Sequence, residues 1–319
     1  MSLGLSLIEE RFIARKNLVG KRLDLAIVAA GFKLSRRHAK TIIDSGNAFV
    51  NGEKVRIASR ELSFGDEVRI VFEKKAKPTR INQLDVAMIV YRDEQIVVLN
   101  KPAGLATQAS KKDDKLQVIP LLKKLAACQN WEQDDFRLVH RLDKDTSGLL
   151  AIACSENAER MLIEQFRSRS VKKKYEAIVH GQISQDFYVD LPLSGINPKS
   201  GKVKVSAKGG KTAQSNFSSI HVDSELKLSV LSCEPITGRS HQLRVHLLAK
   251  GFPILGDKIY AAVSTKLLDK LGTLHPSRHM LHARNLELII PGKEERGPVA
   301  FKAPYPEDFA SLKTYLLER

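Results

Sequence analysis

His140-Arg141-Leu142-Asp143-Lys144-Asp145-Thr146-Ser147-Gly148 sets charged side chains between two apolar runs, residues 136–139 before it and 149–153 after it. The segment therefore reads as strand, tight polar loop, strand, with Gly148 letting the backbone turn sharply. Such a loop presents Asp143 rigidly. Arg141 and Lys144 flank it, and neighbouring positive charge keeps a carboxyl ionised, the state it needs to act as nucleophile or base near neutral pH. Three other readings compete. As a calcium loop the segment lacks its bidentate Glu, because Cys154 stands at the twelfth position counted from Asp143. As an aspartyl-phosphate phosphotransferase start it has Ser147 where Thr or Val belongs and a basic His140-Arg141 pair ahead of the acid. As a structural turn, Asp143 and Thr146 would bond the local backbone.

The rest of the chain narrows these readings. With 319 residues and 43% apolar content, it can bury a sizeable core and is expected to form two domains. Its three cysteines, Cys128, Cys154 and Cys233, are widely spaced and odd in number, which argues for reduced packing residues rather than bridges or zinc ligands. No signal-peptide core and no run of membrane-spanning length is visible, so a soluble, cytoplasmic protein is expected. Lys and Arg number 52 against 36 Asp and Glu, a net charge of +16 that points to a polyanionic partner. Residues 1–80 hold 17 of the basic and 9 of the acidic residues, so half of the excess sits in the first quarter of the chain. Aromatic residues are scarce there, which favours structured RNA over unstacked single strands.

Residues 21–72 read as a unit. Leu23, Ala26, Ile27 and Ala30 recur at helical spacing and Gly31 ends that helix; Ser35 caps a second helix whose apolar face is Ala39, Ile42 and Ile43. Arg36, Arg37 and Lys40 form a positive face opposite, with Lys33 just ahead. Residues 48–50 and 55–57 make a hairpin around Asn51-Gly52, and 68–72 close the unit as a strand. With Arg-Leu-Asp at 22–24, Ser-Arg-Arg at 35–37 and Val-Asn-Gly at 50–52, this pattern resembles the alpha-L RNA-binding module named after the fourth protein of the small ribosomal subunit. The resemblance implies that the second helix docks on folded RNA through Lys33, Arg36, Arg37 and Lys40. The domains expected are this module over 1–73, a basic linker over 74–84 and a second domain over 85–319.

In the second domain, strands are expected at 95–99, 149–153, 174–179, 213–221, 226–232 and 285–290, and helices near 116–127, 156–168, 241–249 and the C-terminus. That order predicts the α+β class, a mixed, mostly antiparallel sheet with flanking helices. Gly238-Arg239-Ser240-His241-Gln242-Leu243-Arg244-Val245-His246 leads from a turn into a helix capped by Ser240, with Leu243, Leu247 and Leu248 buried and Arg244 near the edge of that face. His241 and His246 are five apart, which is not the one-turn pairing of zinc ligands, so no metal is expected.

Together with Asn100-Lys101-Pro102-Ala103-Gly104-Leu105, Lys173-Lys174-Tyr175 and Leu281-His282-Ala283, these segments follow one order along nearly the whole chain. They resemble the large-subunit ribosomal branch of the RNA pseudouridine synthases, whose hallmark is His-Arg-Leu-Asp-x-x-Thr-Ser-Gly. Ser240 stands where that family more often has Thr. The resemblance implies a cofactor-free isomerisation in which the uracil leaves its sugar at nitrogen one, turns, and rejoins through carbon five. By carry-over Asp143 is the catalytic carboxylate, as nucleophile or base; Arg244 pairs with it; Tyr175 stacks on the uracil and assists the late proton transfer; Arg141 fills the space left by a flipped nucleotide; and Leu286 packs on the Tyr175 ring. The partner implied is structured RNA, ribosomal first and transfer RNA as the alternative, with no membrane and no obligate protein partner.

Overall fold

Residues 96–99 and 149–153 are apolar at every position, so both faces of these strands are to be covered, and this decides the architecture of the larger unit. In a computed structural model, which describes residues 7–32, 34–73, 81–108, 116–132, 135–261, 267 and 270–319, the chain divides into two compact units, Met1–Pro78 and Thr79–Arg319.

In the smaller unit, β1 (Leu7–Ile13), β4 (Glu67–Glu73), β2 (Ala48–Val50) and β3 (Glu53–Val55) form one sheet in that order. Helices α1 (Leu23–Ala29) and α2 (Arg36–Asp44) bury Leu23, Ala26, Ile27, Ala39, Ile42 and Ile43 in a core shared with Val50, Val68 and Ile70. Ser35 caps α2 by accepting the His38 N–H. Asn51 and Gly52, at φ 52° and 82°, form the hairpin turn, which requires left-handed backbone at both positions. Its second strand begins at once, at Glu53 and not at Val55, because a two-residue turn leaves no loop. Sequence periodicity missed β1, whose Leu-Ile-Glu-Glu-Arg-Phe-Ile carries three charges in the middle.

The larger unit is the expected α+β fold. Among the described residues its sheet runs β10 (Phe187–Asp190), β11 (Gln214–Asp223), β12 (Leu228–Pro235), β9 (Lys172–His180), β13 (Leu281–Leu288), β8 (Ser147–Ala153), β6 (Ile96–Lys101), β5 (Ile89–Arg92). Two short strands, β7 (Arg137–Leu138) on β8 and β14 (Val299–Lys302) on β13, complete it. Every pairing is antiparallel except β13 with β8. Val97, Leu99, Leu150 and Ile152 pack on one face under α3 (Val118–Cys128), while Ile96, Val98, Leu149 and Ala151 pack on the other under α4 (Glu156–Arg167). The continuous apolar runs are what a strand covered on both sides requires. Helices α5 (Gln242–Ala249) and α6 (Glu307–Leu317) pack through Leu243, Leu247, Phe309 and Leu312 on a third cluster with β9 and β12.

Leu84 is 6% exposed and joins the core under α3, so the end of the expected 74–84 linker belongs to the larger unit; its apolar side chain is drawn in by the same burial that holds Leu121 and Leu125. Residues 74–80 lie outside the described residues. No helix among the described residues is long and apolar enough to cross a membrane.

Candidate active site

The loop between β7 and β8 carries Asp143, and backbone hydrogen bonds hold it from several sides. Lys101, fully buried at the end of β6, donates to the carbonyls of Pro102 (2.9 Å), Leu105 (2.9 Å) and Lys144 (3.1 Å). The Gly104 N–H donates to the same Lys144 carbonyl at 2.9 Å. Thr107 Oγ1 donates to the Leu142 carbonyl at 2.8 Å, and Arg278 Nη1 to the Asp145 carbonyl at 3.1 Å. Burial pulls the Lys101 pKa down to about 7, while three carbonyl acceptors match the three N–H bonds of its ammonium form. His140 Nε2 accepts the Ala151 N–H at 2.8 Å and the ring stacks on Phe166, so burial pushes its pKa down to about 3 and it stays neutral. Gly148 has φ 113°, and a Cβ there would stand 2.2 Å from the Ala283 carbonyl oxygen. Only glycine lets β8 approach β13 so closely directly after the loop.

Helix α5 supplies the partner. Arg244, 4% exposed, donates from Nη1 to Asp143 Oδ2 at 2.8 Å. Its Nε and Nη2 grip Asp257 at 2.7 and 2.9 Å. Asp257 also accepts the N–H groups of Ile259 (3.0 Å) and Tyr260 (3.2 Å). One guanidinium thus serves two carboxylates, anchored on the buried one and extended to the reactive one. Burial opposes ionisation of Asp143, but the charges of His241 and Arg244 and the Arg244 hydrogen bond outweigh it, and the carboxyl lies below its ordinary value. Burial lowers the His241 pKa too, so near neutrality the permanent cation is Arg244. Arg141 and Lys144, expected to hold Asp143 ionised, are exposed side chains that make no ion pair among the described residues; the direct ionic contact to the carboxylate comes from the tertiary partner, Arg244.

His241 takes φ 55° at the start of α5 and brings its Nε2 to 3.9 Å from Asp143 Oδ2. Its Nδ1 lies 2.8 Å from the Tyr260 hydroxyl, which also accepts the Val203 N–H at 2.8 Å. With that hydroxyl donating to Nδ1, the imidazole hydrogen sits on Nε2 and faces Asp143. The expected Ser240 cap is not made. Gln242 instead reaches back, accepting from Thr237 Oγ1 (2.7 Å) and the Arg239 N–H (2.9 Å), and so fixes the turn that leads to His241. Leu248, expected inside, is 38% exposed, and α5 buries Gln242, Arg244, Val245 and His246 instead.

Asp143, Arg244 and Tyr175 line one cavity of about 470 Å³, with Arg141, Lys173, Arg239, His241 and Leu281 among the other walls. Burial, reinforced by the Asp143 charge, raises the Tyr175 pKa, so its hydroxyl remains a donor at neutral pH. Leu286 sits elsewhere: it is buried with Leu149, Leu288 and Phe301, whereas Tyr175 packs on the clusters that hold Leu281 and Ala283. β13 is bulged between Ala283 and Asn285, so positions counted from His282 do not carry past it. Arg36, Arg37 and Lys40 are exposed on α2; Arg36 and Arg22 both pair with Asp24, which is only 1% exposed. Lys33 lies outside the described residues. Asp257, Tyr260, His241 and Lys101 were not anticipated. A signal for Lys101 existed, a lysine directly following an apolar strand in Asn100-Lys101-Pro102, but nothing local marked Asp257.

Comparison with known proteins gives the family. The family model described as RNA pseudouridylate synthase matches residues 95–249, and that of the S4 domain matches residues 21–68. The chain is 32% identical over 304 residues to an uncharacterized RNA pseudouridine synthase of Aquifex aeolicus, covering 93% of this chain and 94% of that one. It is 33% identical over 322 residues to ribosomal large subunit pseudouridine synthase D of Zymomonas mobilis, covering 97% and 98%. Among solved structures, human RNA pseudouridylate synthase domain containing 4 matches with a TM-score of 0.60 at 29% identity, over 72% of this chain and 93% of that one. An Asp–Arg pair beside a tyrosine, on this fold and with these relatives, leaves one assignment: the chain belongs to the RNA pseudouridine synthase family, isomerases that act on RNA, and carries an S4 RNA-binding domain in its N-terminal unit.

Proposed function

We propose that this enzyme converts selected uridines of large-subunit ribosomal RNA to pseudouridine, starting from the Asp143 carboxylate and without a cofactor. The observation that carries the reading is the 2.8 Å contact of Arg244 with Asp143 in the cavity that Tyr175 also lines. An ionised, aimed carboxylate attacks the ribose or takes a proton from it. The bond from C1′ to N1 breaks with its electron pair passing to the base. The uracil turns on Tyr175 and C5 bonds to C1′ as the carboxylate is displaced from C1′ on the first route, or as the proton it took is returned to the ribose on the second, and the proton that leaves C5 is balanced by one gained at N1. Atoms are conserved within one nucleotide, so no external reductant or group donor is required.

A target inside folded RNA must leave its stack at a cost of a few kcal/mol. Arg141, exposed at the cavity, fills the vacated space, and residues 1–73, with the basic segment that follows, supply electrostatic affinity through Arg36, Arg37, Lys40 and Lys33. Residues 85–319 carry the chemistry. The ribosomal target rests on the name of the Zymomonas relative, matched along nearly its whole length. Cysteines without disulfide bonds suit a cytoplasmic enzyme. Mapping pseudouridine in total RNA from cells with and without the gene tests this: loss of sites in large-subunit ribosomal RNA is expected, and loss confined to transfer RNA would overturn the choice of target.

A further inference from the structure

Three lysines in a row, Lys172, Lys173 and Lys174, open strand β9, and they are not alike. Lys172 pairs with Glu287 at 2.7 Å and Lys174 with Glu234 at 3.1 Å. Lys173 points to the other face, as alternation along a strand requires, and so shares a face with Tyr175 two positions on. Both line the cavity that holds Asp143. The Lys173 side chain makes neither a hydrogen bond nor an ion pair to any other described residue. Its Nζ lies 3.8 Å from where a Cβ would stand on Gly238, so the side chain is folded under the turn that precedes α5. Desolvation without a counter-charge lowers its pKa, and a partly buried ammonium of this kind gains from any acceptor brought to it.

The acceptor follows from the order of groups along the cavity. The Asp143 loop enters β8 at Ser147, and Ser147 and Gly148 pair with His282 and Ala283; Ala283 in turn faces Tyr175, whereas Lys173 faces Leu286 further along β13, so Tyr175 stands nearer the Asp143 loop and Lys173 beyond it. A uridine with its sugar at Asp143 and its ring on Tyr175 directs the ring edge opposite N1 towards Lys173. That edge carries the O4 keto oxygen. Arg244 is taken up by Asp143 and Asp257, and the remaining arginines at the cavity, Arg141, Arg167, Arg169 and Arg239, are exposed and suit the solvated phosphates of the strand.

We propose that Lys173 donates a hydrogen bond to O4 of the target uracil and is a specificity-determining residue of this site. Cytidine presents an amino donor at the same position and meets the ammonium donor to donor. The contact strengthens during the reaction, because the electron pair released when C1′–N1 breaks is shared among N1, O2 and O4. The inference rests on the isomerase reading above and deepens it.

The test is a cycle between protein and substrate, with wild type and Lys173→Met acting on an RNA whose target is uridine or its 4-deoxy analogue. Wild type is expected to lose roughly ten- to hundredfold in single-turnover rate when O4 is removed, the range for a hydrogen bond from a charged donor. Lys173→Met loses a similar factor on uridine and little more on the analogue. Lys173→Gln, and the same cycle read as affinity in an Asp143→Asn background, keep the result legible if one variant folds poorly or the analogue reacts slowly. A methylphosphonate 5′ of the target is expected to cost all variants the same. Equal losses on O4 removal in wild type and Lys173→Met overturn the proposal, as does coupling of Lys173 to the methylphosphonate in place of O4. Wild type forming no pseudouridine at all would instead bring down the reading on which it rests.

Discussion

Replacing Asp257 with Asn leaves the shape of the site and removes one charge. The oxygen that stays can keep the Arg244 Nη2, Ile259 and Tyr260 contacts, all of which fall on Oδ1. The new amide nitrogen then faces the Arg244 Nε–H, which now donates to Oδ2 at 2.7 Å, and two donors oppose each other. Losing one charge-assisted bond inside a pair whose members are 4% and 1% exposed costs about 3 kcal/mol. For a unit of this size that corresponds to a fall of roughly 6–12 °C in melting temperature. Arg244 also loses the anchor that aims Nη1 at Asp143, and a misplacement on the order of 1 Å costs up to about a hundredfold in rate. Thermal unfolding, together with single-turnover pseudouridine formation well below the melting point, reads both effects. An Asp257→Asn enzyme that melts and reacts like wild type would refute the idea that Asp257 positions the guanidinium.

Because the Asp143 carboxyl lies below its ordinary value of 3.8, it is already ionised at pH 5, and the single-turnover rate should not fall between pH 8 and pH 5 through its protonation. A rate profile with an acid limb near pH 6 that disappears in no histidine variant would contradict this. Lys101→Met takes the Nζ donor from three carbonyls, of which that of Lys144 keeps the Gly104 N–H, and should destabilise the larger unit by about 2–5 kcal/mol, seen as a lower melting temperature. Arg37→Ala and Lys40→Ala should each reduce the slope of log affinity against log salt by about 0.9 without changing stability. Arg36→Ala should do both, because it also strips Asp24 of one of its two arginines.

What the chain spells out locally was readable, and what depends on distant residues meeting was not. Asp143 and Arg244 were paired in advance through the family resemblance, since each sits in a dense motif of its own, and the strand after the Asp143 loop announced itself by an unbroken apolar run. β10 and β14 were missed since strands of four residues at the margins of a sheet carry little pattern. Asp257 and Tyr260 gain their roles only when the chain after α5 folds back over Arg244, and no spacing rule anticipates that return. The left-handed backbone of His241 is equally silent in sequence, because a histidine gives no sign of the conformation that glycine or asparagine would advertise. Leu286, assigned through the resemblance, packs instead in the cluster of Leu149, Leu288 and Phe301, a tertiary grouping that its place in the sequence does not announce.

The central claim is that one carboxylate, Asp143, starts the isomerisation. Pseudouridine measured by mass spectrometry in target RNA, after reaction with wild type or Asp143→Asn in excess chelator, tests it directly when RNA affinity is determined alongside. The account predicts full conversion by wild type, none by Asp143→Asn, and unchanged affinity. Pseudouridine formed by Asp143→Asn at a rate near that of wild type would contradict it.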